Sequence, residues 1–102
     1  MRGAVVASSE PPFVEKRPPL KITGSFAHDP NARWTVYRDV QTGQRAVVLA
    51  NLGRKPVTAT VSLTGGKSKT CRLFQPFEKT REARMPARIV LPPERVAFVA
   101  QE

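Results

Sequence analysis

Between Val57 and Leu63 the chain alternates without a fault: Val57, Ala59, Val61 and Leu63 are apolar, and Thr58, Thr60 and Ser62 between them are polar. Successive side chains of an extended strand point to opposite faces. This period of two therefore sends one apolar stripe into a core and one hydroxyl stripe toward water. A helix cannot use the pattern, because its repeat of 3.6 would scatter the same apolar side chains around the axis. Ten prolines and six glycines in 102 residues argue against long helices for an independent reason: each proline removes an amide donor and fixes φ.

The same period runs through most of the chain. Leu20, Ile22 and Phe26 alternate with Lys21, Thr23 and Ser25, and Ala32, Trp34 and Val36 alternate with Arg33, Thr35 and Tyr37. Arg45–Asn51 is apolar on both faces, as a central strand should be. Thr70–Phe74 places Cys71 and Leu73 on one face, and Ala87–Leu91 and Val96–Ala100 close the pattern. Hairpin-like punctuation separates these runs at His28–Asn31, Gln41–Gln44 (where Gly43 can supply a positive φ), Leu52–Pro56, Thr64–Lys67 and Pro92–Arg95. Short strands with turn signals every 8–12 residues or so predict an all-β fold: an antiparallel two-sheet β-sandwich of about seven strands, Greek-key-like. Glu78–Met85 has no apolar stripe and reads as an exposed excursion.

Residues 1–19 stand apart from the sandwich domain, residues 20–102. Pro11-Pro12 and Pro18-Pro19 bound an extended linker or strap, and Val5 and Val6 before it can form a short edge strand. Gly3–Ala7 is apolar and terminal, so it is the piece expected to pair across subunits in a weak homodimer, or to have belonged with a preceding domain. The start has too short an apolar stretch for a secretory signal, and no window approaches a membrane-spanning helix. The compartment stays open.

A net charge of +9 makes a polyanion a partner to consider. Ten Lys and Arg fall after residue 51 and seven before it, yet Glu78, Glu82 and Glu94 interrupt the densest stretch and no basic tail exists.

Catalytic chemistry finds no purchase. Glycosidic hydrolysis by the usual route needs two facing carboxylates, and the acids fall in turns, linkers or the terminus without the apolar surroundings that raise a carboxyl pKa. Cys71 belongs to a buried strand face and His28 to a turn, so neither reads as half of a nucleophile–base pair. Gly65-Gly66-Lys67-Ser68 is no phosphate loop, because Val61 stands where the first glycine is required. One Cys and one His exclude the usual four-ligand zinc site. The reading is a non-enzyme with no catalytic residues, no metal and no cofactor.

Binding residues are few. Trp34 and Tyr37 are three apart and point to opposite faces, which makes Trp34 core, with Val61, and Tyr37 the exposed platform. Arg33 shares the Tyr37 face. Arg33, Tyr37 and Arg72, with Phe74, are the nearest approach to a base-stacking sheet, which wants two or three aromatics beside basic residues. Tyr37, Arg33 and Arg72 are therefore the candidate binding residues, and nucleic acid is the less favoured ligand.

Three stretches carry a family resemblance. Trp34-Thr-Val-Tyr-Arg-Asp39, then Thr42-Gly43-Gln-Arg-Ala-Val-Val-Leu-Ala-Asn51-Leu-Gly, then Pro56-Val-Thr-Ala-Thr-Val-Ser-Leu63 resemble the C-terminal β-sandwich of many glycoside hydrolases. Ile89-Val-Leu-Pro-Pro-Glu-Arg-Val-Ala-Phe-Val99 is similar to the family's closing strand and turn. The resemblance spans about residues 20–101. It implies a non-catalytic accessory domain that stabilises or orients a carbohydrate-active enzyme, packed on a catalytic barrel domain that is not in this chain. No catalytic residue carries over; Asn51 takes the strand-end position, where its side chain is expected to close the following turn. The high basic charge and the Glu78–Met85 excursion depart from the family. The second reading is a stand-alone carbohydrate- or polyanion-binding (nucleic-acid-binding) module, and the third a structural domain unrelated to sugars.

Overall fold

A computed structural model describes residues 3–8, 20–39, 41–63, 69–76 and 78–101. Among them are nine strands: β1 (Gly3–Ser8), β2 (Leu20–Thr23), β3 (Ala32–Asp39), β4 (Arg45–Asn51), β5 (Val57–Leu63), β6 (Thr70–Phe74), β7 (Arg81–Arg84), β8 (Ala87–Leu91) and β9 (Arg95–Gln101). They form two sheets, one ordered β1-β3-β4-β9-β6-β7 and one ordered β2-β5-β8, and every pairing is antiparallel. The expected all-β sandwich is present. The strands beyond the expected seven are β1 and β7, the two edges of the larger sheet.

The core lies between the sheets. Alternation along β5 and β8 buries Val57, Ala59, Val61 and Leu63 against Ala87, Ile89 and Leu91. The facing sheet contributes Val36, Val47, Leu49, Cys71, Leu73 and Val99. The registers Trp34↔Leu49, Val36↔Val47, Val47↔Val99 and Leu73↔Val99 put these side chains on one face. Cys71 is fully buried and acts as a small apolar side chain.

Turn positions were legible but turn types were not. Only β3–β4 and β6–β7 are joined as hairpins; the former turns through Gly43 at φ 76°, as its sequence allows. The turns at His28–Asn31, Leu52–Pro56 and Pro92–Arg95 are arches that carry the chain from one sheet to the other. Gly, Pro and Asx residues signal a reversal whether the next strand pairs with the last one or packs across from it. Thr64–Lys67 lies outside the described residues.

Two further expectations need correction. Phe26 does not extend β2: the strand stops at Thr23, Gly24 takes φ 94°, and Phe26 is buried from a single 3-10 turn, Ser25–His28. The Glu78–Met85 excursion is exposed but contains β7, which pairs with β6 through Cys71↔Ala83 and Leu73↔Arg81. An edge strand needs only one inward apolar residue, here Ala83, so no apolar stripe announces it. Gly3–Ser8 forms the edge strand that Val5 and Val6 allow, paired with β3 of its own chain, with a register shift between Val5 and Ala7. That pairing covers an otherwise free backbone edge. Residues 9–19, read as a linker or strap, lie outside the described residues.

Trp34 faces inward as expected, but it is only half-buried, packed against the rim of the core rather than inside it. It helps line a groove of about 350 Å³ with Leu20, Ile22, Phe26 and Ala27. The remaining ring exposure lowers the effect of truncation below the roughly 3–5 kcal/mol of a fully buried tryptophan. Trp34→Ala is expected to destabilise by about 2 kcal/mol, measured as a lower urea midpoint; an unchanged midpoint would show that the ring contributes nothing to the core.

Candidate functional site

The larger sheet has a second face, turned away from the core. On it, β3 presents Arg33, Thr35 and Tyr37; β4 presents Ala46, Val48 and Ala50; β9 presents Val96, Phe98 and Ala100; and β6 presents Thr70, Arg72 and Phe74. An antiparallel sheet with one wet face ordinarily alternates apolar-in with polar-out. The two central strands break that rule, since all six of their outward positions are apolar.

The register arranges these residues in rows. One row reads Tyr37, Ala46, Ala100, Arg72 and Glu82 across β3, β4, β9, β6 and β7. The two alanines, Ala46 buried and Ala100 half-buried, separate Tyr37 from Arg72 along the row. Three strand spacings separate those residues, about 14 Å at ~4.8 Å per strand. The next row reads Thr35, Val48, Phe98 and Phe74. Phe74 and Phe98 are direct partners whose rings meet edge to face, 5.7 Å apart at 67°. Phe74 is 38% exposed and Val96 46%. Between them lies a hollow of about 380 Å³, walled by Val48, Phe74, Pro76, Thr80, Val96 and Phe98.

All three candidate binding residues thus share this face, together with Phe74. Tyr37 is half-buried rather than fully exposed, so only part of its ring is offered as a platform. The Arg33 guanidinium donates to the carbonyl oxygens of Pro30 and Ala32, which turns it toward its own loop. Arg72 lies 4.0 Å from Glu82, a loose exposed pair that screening keeps weak. The Phe74–Phe98 pair and the outward Val48 and Val96 were not anticipated as a site. Their signal was present: Ala46–Ala50 and Val96–Ala100 are apolar at every position in a chain that elsewhere alternates.

The described carboxylates are dispersed. Asp29 accepts from the Asn31 amide in its turn, at 2.8 Å. Glu78, Glu82 and Glu94 are exposed on three different segments. His28 is exposed at the end of the 3-10 turn. Among the described residues no three His, Cys, Asp or Glu side chains gather as metal ligands, and no helix is long and apolar enough to cross a membrane. Compared with family models, curated proteins and solved structures, the chain matches none of them.

Proposed function

We propose that this protein is a non-catalytic β-sandwich accessory module, of the kind its sequence resembles in glycoside hydrolases, and that it stabilises or orients a carbohydrate-active catalytic domain. The observation that supports this reading is the apolar outward face of β4 and β9. An apolar face of this kind gains free energy when a second surface removes it from water, at roughly 25 cal/mol per Å². The isolated protein is expected to show no turnover across a panel of aryl glycosides and oligosaccharides. Hydrolysis that disappears on substitution of a carboxylate would overturn the reading.

The face also predicts association. Sedimentation of the isolated protein should show a concentration-dependent weak dimer, and the double variant V96S/F98S should return it to monomer while the fold stays intact. A wild-type protein that remains monomeric at every concentration would count against a docking face. The second reading, a stand-alone carbohydrate-binding module, is favoured by Tyr37 and Arg72 sharing one row of the outward face, separated by two alanines. Saturable oligosaccharide binding that is lost in Tyr37→Ala would select it over the first.

A further inference from the structure

We propose that a basic cleft between the terminal strands of the two sheets binds a sugar carrying phosphate or sulfate groups. β7 is the terminal strand of the larger sheet and β8 a terminal strand of the smaller. These two strands and the loop before β7 border an open cleft of about 600 Å³ lined by Gln75, Glu78, Lys79, Arg81, Arg88 and Val90. That volume falls within the roughly 300–1,000 Å³ of small-molecule sites. The cleft is separate from the outward face of β4 and β9, and its role does not depend on what that face contacts.

The lining selects the ligand chemistry. Lys79, Arg81 and Arg88 are exposed, and among the described residues none of them has an ion-pair partner. Three cations and one carboxylate, Glu78, line the cleft, leaving it an excess of positive charge. Two guanidinium groups offer forked donors that match the oxygens of a tetrahedral oxyanion. The rest of the lining wants a different partner. Gln75 Nε2 donates to the Val90 carbonyl oxygen at 3.2 Å, and the Glu78 amide donates to the Gln75 carbonyl oxygen at 3.2 Å. The first bond fastens the loop to β8 and the second closes the loop's own turn; both leave the Gln75 amide oxygen and the Glu78 carboxylate as acceptors for hydroxyl groups. Oxyanions and hydroxyls on one small molecule describe a phosphorylated or sulfated sugar.

Titration of the intact protein with a heparin-derived sulfated tetrasaccharide, at low and at moderate salt, tests the assignment. Saturable binding is expected. Arg81→Gln and Arg88→Gln should each weaken it about tenfold, the value of one charge-assisted contact. Arg38→Gln removes the same charge from β3, four strands from β7 in the sheet order, and should change affinity less than about twofold, because screening hides a distant exposed charge. An unsulfated tetrasaccharide should not bind in the cleft. The proposal is overturned if the sulfated probe does not saturate, or if Arg38→Gln weakens binding as much as Arg88→Gln. It is also overturned if a single-stranded oligonucleotide of equal charge binds more tightly through the same arginines.

Discussion

Asn51→Leu is expected to lower the stability of this fold by about 3–5 kcal/mol, the largest effect of any single substitution considered. Asn51 ends β4, is fully buried, and uses both ends of its amide. Oδ1 accepts from the Gly53 amide at 3.0 Å. Nδ2 donates to the carbonyl oxygens of Lys55 at 2.8 Å, Leu91 at 3.1 Å and Pro92 at 3.3 Å. One side chain therefore closes the β4–β5 arch and ties it to the β8–β9 arch, 40 residues away in sequence. Leucine is close in volume and removes every one of these bonds, leaving a buried amide and carbonyls without partners, and each such orphan costs about 1–3 kcal/mol. Urea unfolding should show a lower midpoint at unchanged slope. A loss under about 1 kcal/mol would mean that water replaces the amide at no cost, and the latch would lose its importance.

Asn51 also marks how far the sequence could be read. Its position at a strand end and before a turn pointed to a closing role, and the Gly53 bond fulfils that expectation. The bonds to Leu91 and Pro92 could not be foreseen, because a local pattern does not say which distant turn will arrive beside it. The same division runs through the fold. Val57–Leu63 was legible because each residue's face is fixed by period two and its four apolar residues are buried. β7 was illegible because Arg81–Arg84 lies at an edge, where one inward side chain suffices and pairing rests on backbone hydrogen bonds that every sequence can make. Tyr37, Arg33 and Arg72 were placed on one face correctly by parity within each strand, but the two-alanine gap between Tyr37 and Arg72 depends on β9 inserting between β4 and β6. That insertion is a long-range choice of topology.

The continuous apolar runs of β4 and β9 have a similar lesson. Apolarity on both faces says that a strand is central, and both strands are. It does not say what covers the outward face. In the larger sheet Ala46 is buried, but Val48, Ala50, Phe98 and Ala100 stay partly in water and Val96 is 46% exposed, so among the described residues the smaller sheet meets the demand for burial on the inward face only. The accessory-module reading supplies the missing surface, and the V96S/F98S variant asks whether that surface is what the two strands are built for.

Gly24→Ala is expected to destabilise by about 3–4 kcal/mol, although it adds one methyl group to an exposed position. Gly24 sits where β2 leaves the smaller sheet. Up to Thr23 the strand pairs with β5, opposite Thr60; past it, the chain must drop inward to bury Phe26. The departure strips the Thr58 amide of a strand partner, and the Ser25 hydroxyl takes its place, accepting from that amide at 2.8 Å. To deliver Ser25 there, residue 24 takes φ 94° and ψ −174°, a region essentially closed to any residue with a Cβ, at a cost of about 1–3 kcal/mol. A Cβ built on Gly24 would also lie 2.5 Å from the Thr58 carbonyl oxygen. That atom is backbone of the central strand β5, so it cannot swing aside as a side chain would, and β2 must move instead. The movement would pull Ser25 off the Thr58 amide and Phe26 out of the core together. Ser25→Ala, which loses only the hydroxyl, should cost about 1 kcal/mol, so the gap between the two variants isolates the backbone requirement. Equal losses in the two variants would show that the hydrogen bond, and not the glycine conformation, turns the chain into the core.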